Sequence, residues 1–313
     1  MKPGRRSERR RHRRLVLAVA AAGLGVVAYG TLEATKHTSS PPVAGQPARP
    51  LARGRAYRER RGVVPLLSLS RVLPSRTIWL PILMYHRVGP LTASLPPITR
   101  ALTVTSQGFS AEMHWLVRHG FHAVTQLQAF DALEKGQPLP QRPVMITFDD
   151  GYRDVLWNAA PTLHRLHLHA TAYVITGRIS GPDASFLTWS ELRKLEAAGV
   201  TVGSHTVHHL EIPFLSTSEA LAELEQSRKA LERHLRHPVQ WFAYPGGAED
   251  PRAAQLVRQA GYVLAVTTRP GARQNAAAPL ALHRYEIFDT TGVAGLRALL
   301  DRTSSGSYRH RPD

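Results

Sequence analysis

From residue 77 onward, short continuous apolar runs alternate with stretches whose apolar positions are spaced for a helix. The runs are Ile78–Tyr85, Val144–Phe148, Ala170–Ile175, Val200–Ser204, Trp241–Tyr244, Val263–Thr267 and His283–Ile287. All are short and most are rich in β-branched or aromatic residues, which predicts strands. Between them, Ser110–His119, Val155–Leu166, Ser190–Ala198 and Ser218–Leu235 repeat at about 3.6 residues and predict helices. The last is preceded by Ser216-Thr217, a capping region, and puts Leu221, Leu224, Leu231 and Leu235 on roughly one face. Gly120 and Gly199 stop two of the others. Strands alternating with helices predict an α/β fold with a parallel sheet, open or closed. In such folds chemistry gathers at the carboxyl ends of the strands.

The first 76 residues follow another pattern. Eight Lys and Arg lie within residues 2–14, and the apolar run Leu15–Leu32 that follows contains no charge. A run of this length is at the lower edge of what spans a bilayer core. The arginines before it should stay cytoplasmic and send the rest outside. The expected organisation is a basic cytoplasmic leader at 1–14 and a transmembrane signal-anchor at 15–32, with a cleaved signal peptide as the alternative. A disordered Pro/Arg-rich linker at 33–76 and a globular domain at 77–313 complete it. The expected location is the cell membrane, single-pass with the domain outside, or secreted if the leader is cut.

Composition narrows the function classes. With 43% hydrophobic and 20% charged residues, the 313-residue chain can bury a sizeable core. The absence of cysteine excludes disulfides, thiolate nucleophiles and Cys-ligated zinc. The net charge of +17 belongs mostly to the leader and linker. Residues 1–76 hold 17 Lys and Arg against three Glu, and the rest holds 23 against 20 acids. The nearly neutral domain argues against a nucleic-acid partner.

The strand ends carry the candidate chemistry. Val144–Phe148 runs into Asp149-Asp150-Gly151-Tyr152. Two adjacent carboxylates after a buried strand are costly without a cation or a purpose. Their side chains diverge, so one can ligate a metal while the other faces a reacting atom. Val200–Ser204 runs into His205-Thr206-Val207-His208-His209. One helical turn would put His205 and His209 on one face, and neutral imidazole is a common metal ligand. Two nitrogens and one carboxylate leave positions open for water and substrate, the layout of a catalytic metal site. Trp241–Tyr244 is broken by Pro245-Gly246-Gly247, which would free backbone N–H groups to face an oxyanion. His86 after the first strand and His283 on the last are further candidates, with Arg284 beside His283.

Taken together these residues resemble the polysaccharide deacetylases, carbohydrate esterase family 4, with its NodB homology domain. Thr147-Phe148-Asp149-Asp150-Gly151-Tyr152 and Ser204-His205-Thr206-Val207-His208-His209 carry the likeness. Leu83–Val88, Leu187-Thr188-Trp189, Phe242–Pro245 and Ala260-Gly261-Tyr262 are similar to the branch that acts on poly-N-acetylglucosamine. The resemblance implies a distorted (β/α)7 barrel, with the NodB core at about 142–300, and one divalent metal, zinc first, with cobalt, nickel or iron as alternatives. It implies Asp149 as general base and Asp150, His205 and His209 as metal ligands. It further implies the Tyr244 backbone N–H as oxyanion donor and His283 as general acid, with His86 a rival. The family's Arg-x-Pro-Tyr motif falls on Trp241–Tyr244, so its Arg is missing here. Arg284 could brace the base from another strand, and Gly246 stands where that branch often has an aromatic residue.

The implied activity is metal-dependent removal of N-acetyl groups from an extracellular polysaccharide containing N-acetylglucosamine, releasing acetate. An O-acetyl esterase and a non-catalytic sugar-binding relative are the alternatives. The implied partners are the polysaccharide and, through the N-terminal segment, the membrane. No protein partner is implied.

Overall fold

The computed structural model describes residues 76–304. The leader, the apolar run and the linker up to residue 75 lie outside the described residues. No helix among the described residues is long and apolar enough to cross a membrane.

The main sheet is parallel. Its strands are β1 (Ile82–Tyr85), β2 (Pro143–Phe148), β3 (Ala170–Val174), β4 (Val200–Ser204), β5 (Trp241–Ala243), β6 (Leu264–Val266) and β7 (Tyr285–Glu286). They lie in the order β6-β5-β4-β3-β2-β1-β7, and His122–Ala123 adds to the start of β2. The segment around β7 reaches both edges. Tyr285–Glu286 pair with β1, and Leu282 bridges to Val266 of β6. Leu282 N–H donates to Ala265 C=O at 2.9 Å, and Thr267 N–H donates to Leu282 C=O at 2.8 Å. The sheet therefore curls round on itself, as expected for a NodB-type barrel.

Besides a five-residue helix, Pro97–Ala101, the helices are α1 (Ser106–Arg118), α2 (Gln126–Lys135), α3 (Ala160–Arg165), α4 (Trp189–Ala197), α5 (Thr217–Leu235), α6 (Pro251–Gln259) and α7 (Gly292–Ser304). Capping boxes at Thr125/Gln128, Thr188/Glu191 and Ser216/Glu219 satisfy the first free N–H groups of α2, α4 and α5. Helices α2, α6 and α7 have no counterpart among those read from apolar spacing.

Two predicted elements divide at prolines. The run Ile78–Tyr85 breaks at Leu80-Pro81; Thr77–Trp79 pairs antiparallel with Arg273–Asn275, and only Ile82–Tyr85 joins the main sheet. The predicted helix Val155–Leu166 opens as a π-helical turn, Val155–Ala159, before α3. Pro161 lacks an N–H and crowds the carbonyl four residues back, which explains the wider turn. The last predicted strand, His283–Ile287, shortens to Tyr285–Glu286.

Strand alternation separates inside from outside. Ile82, Met145, Tyr173, Trp241, Ala243, Leu264, Val266 and Leu282 form one buried cluster that joins five strands and the bridging Leu282. Their neighbours Leu83, Val144, Ile146, Ala172 and Val174 belong to a second cluster, with residues of α1 and α4. Phe242 and Ala265 belong to a third, with residues of α5 and α6. The first cluster is the inside of the curled sheet. Counting in twos along the strands places Asp149, His205 and Arg284 on this inner side, at the carboxyl ends.

Candidate active site

The β2 ladder continues to Asp149, whose N–H donates to Tyr85 C=O at 2.9 Å. The next residue reverses: Asp150 has a φ of 73° and Gly151 one of 84°. This left-handed step sends adjacent carboxylates in different directions. Asp149 faces Arg284, while Asp150 faces the two histidines.

Arg284 is fully buried and clasps Asp149 with both terminal nitrogens, at 2.7 and 2.6 Å. Its Nε donates to Thr267 C=O at 2.8 Å, and Nη1 also donates to Thr147 Oγ1 at 3.2 Å. The brace missing from the third motif thus comes from the segment that closes the sheet. Burial pushes the Asp149 pKa up, but Arg284's charge and hydrogen bonds outweigh it and bring it down to about 2. Asp149 is an ionised carboxylate with a fixed orientation.

Asp150 Oδ1 stands 3.6 Å from His205 Nε2 and 3.6 Å from His209 Nε2. One ligand atom from each of the three residues lies within 4.8 Å of the others. Donors about 2.1 Å from a tetrahedral zinc stand roughly 3.4 Å apart, so the spacing fits such an ion. The donor chemistry fits as well. His205 Nδ1 lies 2.8 Å from Ala243 C=O, and a carbonyl only accepts, so the proton is on Nδ1 and the Nε2 lone pair faces Asp150. Burial lowers the His205 pKa to about 3, so the ring is neutral. Burial raises the Asp150 pKa to about 6, with Asp149's charge adding to the rise against the pull of His86. A cation between these groups would relieve that cost.

The histidines converge by a route other than the expected helical turn. Residues 205–209 form an irregular loop in which Thr206 (φ 64°) and His209 (φ 63°) are left-handed. Thr206 Oγ1 accepts from His209 N–H at 2.9 Å, and the two rings meet edge to face at 4.7 Å.

The other expected residues are placed as follows. His86 is half-buried and close enough to influence both Asp149 and Asp150, and its Nδ1 has no hydrogen-bond partner. His283 lies against Gly271, where an added Cβ would come within 2.7 Å of Nδ1. Alternation turns it to the opposite side from Arg284, so the fold brings His86 to the carboxylates and turns His283 away. Burial and the charge of Arg269 lower the His283 pKa. The expectation for Tyr244 needs correction. Its N–H donates to Val266 C=O at 3.1 Å, as part of the β5–β6 ladder, and is not free for an oxyanion. Its ring is buried edge-on against Phe242. Pro245 has no N–H, so the next donor is Gly246, which is left-handed at φ 61°. That left-handed backbone favours glycine over an aromatic residue there.

Two acids escaped the sequence reading. Glu286 shares a strand face with Arg284, and burial and the charge of Asp149 raise its pKa. Glu223 is buried on α5 and bonds the His205–His209 loop. The available signal for Glu223 was an acidic residue at an apolar helix position.

A sequence model of the polysaccharide deacetylase family matches residues 136–265. The match spans β2 to the middle of β6 and includes Asp149, Asp150, His205 and His209. A Bacillus subtilis protein named as a polysaccharide deacetylase, YxkH, is 30% identical over 216 residues, which are 69% of this chain and 73% of that protein. The chain belongs to the polysaccharide deacetylase family. As a family member it is a hydrolase of the deacetylase class. The poly-beta-1,6-N-acetyl-D-glucosamine N-deacetylase of Staphylococcus aureus is 26% identical over 51% of this chain and 59% of that protein. The Streptococcus pyogenes deacetylase PplD, solved in complex with acetate, superposes with a TM-score of 0.67 at 26% identity, covering 72% of this chain and 99% of that one.

Proposed function

We propose that this deacetylase removes N-acetyl groups from a polysaccharide containing N-acetylglucosamine, on the outer side of the cytoplasmic membrane, in a metal-dependent reaction that releases acetate. The observation that carries the reading is the divergence of Asp149 and Asp150. One carboxylate is clamped by Arg284 and kept ionised, and the other points at two imidazoles. This is the division of labour that amide hydrolysis by water requires.

Asp150, His205 and His209 are the residues that would hold a divalent cation. Bound there, it would supply Lewis acidity, lowering the pKa of water and polarising an acyl carbonyl. Asp149 accepts the proton of the attacking water; with a pKa near 2 it is free to do so at neutral pH. Gly246 N–H takes the oxyanion role that the β5–β6 ladder denies to Tyr244. His86 delivers a proton to the departing amine nitrogen as the C–N bond breaks. The relation to the staphylococcal enzyme supports an N-acetylglucosamine polymer as substrate. The arginine cluster followed by the uncharged run Leu15–Leu32 supports a location outside the membrane.

The test is acetate release by the full-length protein from N-acetylglucosamine oligomers and from peptidoglycan, with EDTA and metal add-back. Metal-dependent release from either is expected. Release that is indifferent to EDTA would remove the metal from the proposal. Release confined to O-acetylated glycans would move the enzyme to ester substrates.

A further inference from the structure

Helix α5 carries an acid on its buried face. Glu223 shares that face with Ala220, Leu224, Ser227 and Leu231 and is 7% exposed. A carboxylate in such a place is retained only if its oxygens are satisfied. Glu223 Oε2 accepts the consecutive N–H groups of Val207 and His208, at 3.0 and 2.9 Å. Its Oε1 lies 2.6 Å from His208 Nδ1. All three contacts go to one loop, and that loop begins and ends with the histidines facing Asp150.

The loop needs holding. Thr206 and His209, the residues on either side of the gripped pair, are both left-handed. Such conformations are costly for residues other than glycine and persist only where the surroundings impose them. Bonds to an ionised carboxylate are roughly twice as strong as neutral ones. A second link ties the same helix to the end of β4, where Ser227 Oγ and Ser204 Oγ are 2.8 Å apart. The His208 side chain is 66% exposed, so its ring is a surface handle for Glu223 and not part of the triad.

We propose that Glu223 is a positioning residue of the metal centre. By gripping the backbone of Val207 and His208, it holds the loop in the form that aims His205 and His209 at Asp150. The proposal rests on the metal-site reading above and concerns a residue that touches neither metal nor substrate.

The test is Zn2+ affinity, measured on the full-length, EDTA-stripped protein by competition with a chromophoric chelator. Glu223→Ala should weaken binding about 10–100-fold, the usual effect of losing an outer-shell partner. Glu223→Gln should fall between that variant and wild type, because its amide oxygen can still accept the two backbone N–H groups. His208→Ala should stay close to wild type, because those same bonds survive. Leu231→Val, in the packed core beneath α5, should lower the Tm and leave the affinity unchanged. Should Glu223→Ala fail to fold, Glu223→Gln and His208→Ala decide: equal losses in both, or no loss in Glu223→Gln, overturn the proposal. Wild-type affinity in a folded Glu223→Ala, or equal weakening by Leu231→Val, overturns it too. A wild-type chain that binds no Zn2+ instead defeats the metal-site reading, and the positioning role with it.

Discussion

Replacing Arg284 by methionine would test how the site keeps its base charged. Asp149 is 3% exposed and Arg284 not at all, and two short hydrogen bonds join them. The depression of the Asp149 pKa from 3.8 to about 2 corresponds to roughly 2 kcal/mol of native stability at neutral pH. The folded pKa is below the unfolded one. The contribution is therefore complete above the unfolded carboxyl's value of 3.8 and is lost as pH falls toward 2. Removing only the arginine leaves a buried charge alone, which typically costs about 3–5 kcal/mol. Urea unfolding of the metal-free protein at pH 7 should show a loss of that order. Adding Asp149→Asn to Arg284→Met should recover part of it, because no lone charge remains. The acid limb of kcat should also move to higher pH in Arg284→Met, since burial then raises the Asp149 pKa without opposition. A single variant within about 1 kcal/mol of wild type, a stability gap too small for an orphaned buried charge, would refute the energetic reasoning. An unmoved acid limb would refute the link between Arg284 and the base.

Two further outcomes follow from the geometry of the site and a third from the proposed outer location. Asp149→Asn should bind Zn2+ like wild type and lose nearly all acetate release, whereas His205→Ala should lose both; a metal-free Asp149→Asn protein would contradict the division of roles. Gly203→Ala should destabilise by about 1–3 kcal/mol and weaken metal binding, because the new Cβ would lie 2.6 Å from the Tyr173 ring and 3.0 Å from Trp241 C=O, on the strand that presents His205; thermal melts and Zn2+ titration read both. Protease added to intact cells should remove the domain, and a domain protected until lysis would exclude the outer location.

Much of the site could be read in the sequence because its chemistry is local. Asp149-Asp150 and His205–His209 each sit within a few residues, directly after apolar runs whose strand character is plain. A parallel sheet buried on both faces reads as continuous apolar segments, so β2, β3 and β4 appear nearly to the residue. The missed helices were no weaker in their apolar spacing: α2 buries Ala129, Phe130 and Leu133 on one face, and α6 buries Ala253, Leu256 and Val257.

Tertiary structure decided whatever depends on which strand lies beside which. The pairing of β5 with β6 consumes the Tyr244 N–H, which looks free in a strand followed by Pro-Gly-Gly. Closure of the sheet by residues 282–286 carries Arg284 to Asp149 across 135 positions of chain, a partnership that no spacing encodes. The same closure and the two-residue alternation turn His283 aside. Two left-handed residues and a carboxylate from α5 shape the histidine loop, where a helical turn was expected. Residue types and local periodicity determined which groups are present and which strand ends bear them. Their aim was set by long-range hydrogen bonds, which are satisfied only once the sheet has closed.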